Sequence, residues 1–163
     1  MGDEMGAKVD VDEIIGVQTM LMAHCHVEFG RIAAEYAEEW GILSGFELTE
    51  NNLEFFSQHN IMDRIESRQF GLLIDIGHIA MGFADSANIT GQVLEVIADH
   101  LDRVVEFHVG GVVKTPGGLK EHRPLDENDL LDQTQIGRLL RDKEYENAII
   151  FEIFYESAYS GCP

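Results

Sequence analysis

The stretch Leu72-Leu73-Ile74-Asp75-Ile76-Gly77-His78-Ile79 decides how this chain reads. An apolar run leads into a carboxylate, a glycine and a histidine. A run without polar alternation suits a short strand buried on both faces, as in a parallel sheet. Side chains alternate along a strand, so Asp75 and His78 would point to opposite faces if the strand continued. Gly77 lets the chain turn between them, and both can then address one site. Taken alone, the pair is equally well an acidic residue and a histidine at a solvated strand end. The other strand ends decide between the two.

Upstream, residues 11–40 carry a long helical pattern, with Asp10 or Asp12 as its cap. Ile14, Val17, Met20, Leu21, Val27, Ile32 and Ala33 form its apolar face, and Gly16 and Gly30 are points where it would bend. Residues 46–51 read as a first strand, 53–69 as a helix and 71–76 as the second strand. After a loop at 81–89, Thr90 caps a helix reaching about residue 102. Residues 104–109 are the third strand. A long loop over 110–128, with two Gly-Gly pairs, reads as a mobile lid. A helix at 129–143 and a fourth strand at 148–154 complete the pattern. Residues 1–10 are small and polar and expected to be flexible, which leaves one α/β domain over 11–163.

Strands alternating with helices specify a parallel sheet with right-handed crossovers. Four strands make a small open sheet or half of a (β/α)8 TIM barrel, whose usual length is about 250 residues. In either case ligands collect at the carboxyl ends of the strands.

Composition narrows the function. Apolar residues make up 45% of the 163, enough for a real core. Eleven Lys and Arg face 30 Asp and Glu, a net charge of −19. Such a surface repels nucleic-acid backbones and anionic membranes, so neither is expected as a partner. Two cysteines, Cys25 and Cys162, are too few for a disulfide framework. No apolar run is long enough to span a bilayer, and the acidic start is no signal peptide. A cytoplasmic location is the expectation.

The predicted strand ends share one chemistry. The first offers Glu50, the second Asp75 and His78, the third His108 and the fourth Glu152; the long loop adds Glu121 and His122. Carboxylates and imidazoles converging at one sheet end need a counter-ion. Mixed oxygen and nitrogen donors suit a divalent metal, Mn, Zn, Fe, Co or Mg. By strand parity Val104, Glu106 and His108 share a face, as do Ala148, Ile150 and Glu152. Glu106 is then a partner for a ligating histidine or a sign that the facing is wrong. His24 and His26 lie two apart on a helix and do not share a face. Lys114, Lys120 and Arg123 in the long loop could hold a phosphate or a sugar hydroxyl.

Glu50-Asn51, Asp75-Ile76-Gly77-His78, His108, His122-Arg123-Pro124-Leu125 and Glu152, in this order, resemble the second half of the xylose-isomerase-like TIM barrels. That superfamily holds sugar and sugar-phosphate isomerases and epimerases, inosose dehydratases, and the second family of AP endonucleases. The resemblance covers about residues 40–155. It implies Glu50, Asp75, His108 and Glu152 as metal ligands, with Glu50 and Glu152 also as the acid/base pair. It implies His78, His122 and Arg123 as substrate-binding residues. The activity implied is metal-dependent isomerisation or epimerisation of a sugar or sugar phosphate through an enediolate. A multinuclear iron oxidase, an endonuclease-like hydrolase, or a non-catalytic half-barrel serving in assembly are the alternatives. The endonuclease branch carries aspartate-x-histidine where this chain has Lys120-Glu121-His122, and its first-half histidines have no counterpart here. A half-barrel would expose strand edges and an apolar interior. A homo-oligomer or a complementary half-barrel is therefore expected, as is the possibility that the chain is a fragment of a full barrel.

Overall fold

The computed structural model describes residues 11–154, with side chains from Ile15 onward; the flexibility expected of 1–10, the side chain of Ile14, the polar tail at 155–163 and Cys162 lie outside the described residues. In chain order the elements are α1 (Val11–Trp40), β1 (Ser44–Leu48), α2 (Leu53–Gln58), β2 (Phe70–Asp75), α3 (Ile76–Met81), α4 (Ile89–His100), β3 (Val104–Val109), β4 (Gly111–Thr115), β5 (Gly118–Arg123), α5 (Gln133–Asp142) and β6 (Ala148–Phe151). Single 3-10 turns follow α2 and α4.

Four strands form a parallel sheet in the order β1-β2-β3-β6, and β4 and β5 form an antiparallel hairpin. This is an α/β fold, part of a TIM barrel. Register partners in a parallel sheet share a face, so the sheet sorts into two sides. Leu48, Leu72, Ile74 and Phe107 lie on the helix-covered side and join Val93 and Ile97 of α4 and Ile136 and Leu140 of α5 in one buried cluster. Glu47, Leu73 and Glu106 with Ala148, and then Asp75, His108 and Ile150, line the other side.

A bulge tunes this sorting. Leu72 registers with Val104 but Leu73 with Glu106, so Val105 is an extra residue on β3. It turns Val104 to the helix-covered side while Glu106 and His108 stay together. The parity expected for Val104 is thus corrected, and that for Glu106 and His108 stands.

Several boundaries differ from the sequence reading. β1 starts two residues early and ends at Leu48, so Glu50 sits in the turn that follows. The helix expected over 53–69 stops at Gln58, because Asn60 takes a left-handed backbone with φ 48°. Asn88, not Thr90, caps α4, accepting a hydrogen bond from the Gly91 amide. α5 begins at Gln133, where the Asp132 side chain accepts from the Gln135 amide, and β6 ends at Phe151. The loop expected over 110–128 is largely the β4–β5 hairpin. Its turn is closed by the Thr115 hydroxyl donating to the Gly118 carbonyl, with Gly118 at φ +111°.

α1 departs most from its expected face. Its buried residues are Ala23, Val27, Gly30, Ala34 and Ala37, a stripe of small side chains at three- and four-residue spacing. Val17, Met20, Leu21 and Ile32 are exposed, along with Phe29, Tyr36 and Trp40. Gly30 is no bend point: a Cβ there would lie 2.3 Å from Ile65 Cδ1, so the glycine lets the helix seat closely. His26 is half-buried, packs its ring against Phe46, Phe55 and Phe56 and bonds to the Met22 carbonyl, a packing role. Cys25 is exposed and free. No described helix is long and apolar enough to cross a membrane.

Candidate active site

Asp75 is the last residue of β2 and is 1% exposed. Its Oδ1 accepts a hydrogen bond from the His78 amide at 2.9 Å and so caps α3. The expected turn between Asp75 and His78 is therefore a helix start. The residues Asp75 to His78 bring both side chains to one side because a helix places i and i+3 together. Gly77 contributes by closeness rather than by a left-handed turn: a Cβ there would meet Asp75 Oδ1 and Glu121 Cβ at 3.2 Å.

Two imidazoles flank Asp75. His108, registered beside it on β3, places Nδ1 3.9 Å from Asp75 Oδ2 and 2.9 Å from Glu152 Oε2, while its Nε2 bonds Glu106 Oε1 at 2.9 Å. His78 places Nδ1 3.1 Å from Glu121 Oε2 and 3.7 Å from Glu50 Oε2, with Nε2 3.9 Å from Glu47 Oε1. Glu50 follows the β1 edge of the sheet and Glu152 follows β6 at the other edge.

The hairpin supplies the roof. Alternation along β5 would turn Glu121 and His122 to opposite faces. His122 has φ 53°, a left-handed backbone uncommon for a non-glycine residue. Both adjacent side chains consequently meet His78: Glu121 through its carboxylate, and buried His122 edge-on, ring centroids 5.3 Å apart. The chain after β6 is tied to this roof. The Glu152 amide donates to the Val109 carbonyl at 3.0 Å and the Phe154 amide to the His122 carbonyl at 2.7 Å. Phe154 also stacks on the His122 ring at 4.6 Å. Gly110 permits the junction, since a Cβ there would stand 2.7 Å from the Glu152 carbonyl oxygen and 3.0 Å from His122 Cα. Arg123 is half-buried and registers with Gly111.

The cluster is electrostatically unbalanced. Glu47, Glu50, Asp75, Glu106, Glu121 and Glu152 surround three imidazoles. Burial pushes the Glu121 carboxyl above its ordinary range, and Asp75 and Glu50 add to this while His78 and His122 oppose it. Asp75 Oδ2, His108 Nδ1, Glu50 Oε2 and Glu121 Oε2 are buried without hydrogen-bond partners. His108 Nδ1 and Glu152 Oε2 are therefore close without being aligned to bond each other. Unpaired buried acceptors are costly unless something else satisfies them. Hard carboxylate oxygens with borderline imidazole nitrogens fit a divalent cation.

Among the described residues, two sets of donor atoms have members within 4.8 Å of one another: Asp75 with His78 and His122, and Glu47 with Asp75 and His108. Asp75 belongs to both. Of the four ligands expected from the sequence, Asp75 and His108 fall in one set; Glu152 reaches it through His108, and Glu50 lies beside His78. Glu47 was not singled out from the sequence. Its signal was the strand parity that separates it from buried Leu48.

Comparisons with known proteins agree with this architecture. The family model described as xylose isomerase-like TIM barrel matches residues 27–161. No curated protein matches the sequence. Among solved structures, D-psicose 3-epimerase, crystallised in the presence of D-fructose, is similar with a TM-score of 0.51 and 16% identity, covering 81% of this chain and 42% of that one. The apo form of 3-keto-D-glucoside 4-epimerase from E. coli has a TM-score of 0.46 and 15% identity, covering 78% of this chain and 45% of that one. The chain thus spans less than half the length of either, and at these identities the likeness is one of fold. With most of its length matched by one family model, this chain belongs to the xylose isomerase-like TIM barrel family.

Proposed function

We propose that this chain carries the second-half site of a metal-dependent isomerase or epimerase acting on a sugar or sugar phosphate. The observation that supports this most is the group of buried, unpartnered donor atoms around Asp75 at the carboxyl end of a parallel sheet. Asp75, His108, Glu152 and Glu50 would hold the cation, with Glu47 in reach of the same donors. A bound divalent cation supplies positive charge that stabilises an enediolate.

The chain's own residues supply the proton chemistry. Glu50 and Glu152 belong to opposite edges of the sheet, so one can take a proton from the substrate carbon and the other return it on the opposite side. To His78, His122 and Arg123 we assign the orienting of substrate hydroxyls; His78 and His122 meet edge-on beside Asp75. Incubation with a sugar panel in deuterated solvent and divalent metal tests this. Deuterium uptake at carbon, lost in Glu152→Gln, is the expected result; no uptake with metal bound counts against it.

A second reading has its own observation. The Asp75-His78-His122 set would hold a second cation, with Asp75 common to both sets, as an oxidase or hydrolase with two metals would use. Metal analysis returning two ions per chain favours it over the isomerase.

Partners follow from the open side of the sheet. Among the described residues β1 and β6 each pair on one edge only, Ala148 and Ile150 are exposed, and α1 leaves its large apolar residues uncovered. Eight strands close a barrel, so we propose that four more β/α units cover this side. A complementary half-barrel fits better than a second copy, which would bring a second Glu47 and Glu106 into the same interior and double the net charge of −19. Light scattering that finds a stable homodimer would reverse this preference.

A further inference from the structure

We propose that Glu106 is a positioning residue: it holds His108 in the tautomer protonated at Nε2 and leaves Nδ1 bare toward Asp75 and Glu152. The geometry stands by itself; its consequence for metal affinity rests on the cation reading above.

A neutral imidazole has one N–H and one lone pair, and the partner of one nitrogen sets the state of the other. Glu106 Oε1 lies 2.9 Å from His108 Nε2 in an aligned hydrogen bond. An ionised carboxylate only accepts, so Nε2 is the donor. On the other side of the ring, Nδ1 is buried and makes no aligned hydrogen bond, although Glu152 Oε2 is 2.9 Å away and Asp75 Oδ2 is 3.9 Å away. A proton on Nδ1 would have no acceptor in line with it. A lone pair there faces a carboxylate-lined space, the arrangement a cation uses.

The backbone arranges this on purpose of position alone. Glu106 and His108 are two apart on β3, so alternation puts them on the same face, and both side chains are partly exposed on it. The bulge at Val105 sets which face that is. With regular pairing in place of the bulge, Glu106 would register with Ile74, so Glu106 and His108 would turn to the helix-covered side and Phe107 to the other. Metal-binding histidines that donate their second N–H to a carboxylate gain basicity and a fixed ring plane, and losing that partner costs roughly 10- to 100-fold in metal affinity.

The test is nitrogen NMR of the histidine rings of the full chain without metal, together with calorimetry using Zn²⁺ alone. The parent is expected to give His108, assigned by its loss in His108→Gln, as the Nε2–H form. Glu106→Ala should give a mixed or Nδ1–H ring with unchanged far-ultraviolet circular dichroism and Zn²⁺ affinity lower by roughly 10- to 100-fold. Glu106→Gln keeps an acceptor oxygen and should stay nearer the parent in both readouts. An Nδ1–H ring in the parent overturns the proposal. So does an unchanged ring spectrum in Glu106→Ala, even if Zn²⁺ affinity falls, since a fall without a tautomer change is a loss of charge alone. Should Glu106→Ala not fold, the parent and Glu106→Gln spectra decide. A parent that binds no Zn²⁺ refutes the cation reading, while the ring spectra still decide the role of Glu106.

Discussion

β2 and β6 are both apolar runs in sequence, and they end in different environments. In β2 every residue but Leu73 is buried; in β6 all four are exposed. The difference lies in what stands beside them. β2 has a strand on each side and helices over one face. Among the described residues β6 pairs only with β3 and no helix follows it. An apolar run states what a strand requires of its surroundings and not what it has. The site inherits the contrast: Asp75 is held by the central strands, whereas Glu152 depends on two backbone hydrogen bonds to β3 and the hairpin.

The sharpest break in this comparison would come at Asp75. Asp75→Ala should lower stability by about 0.5–2 kcal/mol through loss of the α3 cap and abolish any rise in melting temperature on adding Zn²⁺. Asp75→Asn retains a cap acceptor, so it should melt near the parent yet still lose the Zn²⁺ response. A full Zn²⁺ shift in Asp75→Ala would mean the central strands do not hold the site.

Next in size is the junction that ties the outer strand to the roof. Gly110→Ala forces a methyl against two backbone atoms and should destabilise by about 1–3 kcal/mol, as overpacking does. Urea unfolding measures the loss, and it should fall with Zn²⁺ affinity because Glu152 moves with the displaced chain. A neutral Gly110→Ala would show that Glu152 is not held by this contact.

Phe151→Ser sharpens the contrast from the exposed side. In the chain alone it should change stability by no more than about 0.5 kcal/mol, as surface substitutions do. A loss of several kcal/mol in urea melts would mean that β6 is already covered in solution.

The smallest effect expected is a pH slope at Tyr145. Burial, with Glu106 adding, pushes its hydroxyl up to about 12, and it donates to the Ala148 carbonyl at 3.2 Å at the start of β6. The folded chain keeps this proton more tightly than the unfolded chain does. Its stabilising contribution is therefore full below about pH 10, the unfolded value, and is lost as pH rises toward 12. Tyr145→Phe should flatten the alkaline limb of melting temperature against pH; an unchanged limb would remove Tyr145 from the linkage of β6 to the sheet.

Much of the site was legible because strand ends have local signatures. Asp75, His78 and His108 follow apolar runs, and the structure brings each histidine within a few ångströms of Asp75. The hairpin was not legible as such. Val112, Val113 and Leu119 flank Pro116-Gly117-Gly118, a turn signal between apolar residues, but the glycines also suit a mobile loop. The face of α1 was misread because large apolar residues outweigh alanines in any periodicity, whereas close seating on Ile65 and Phe46 selects the small ones. Glu47 escaped notice because an acidic residue within a strand is ordinary until its register partners are known.

By itself the sequence determined the alternation of elements, the parallel sheet and the kinds of donor at its carboxyl ends, since these depend on periodicity and on residues near in the chain. Tertiary structure decided which donors meet. The Val105 bulge, the left-handed His122 and the close approach at Gly110 each act through partners distant in the chain, among them Glu106 and Leu73, Glu121 and His78, and Glu152 and His122. Such contacts depend on register and backbone handedness, and neither is written in local residue patterns.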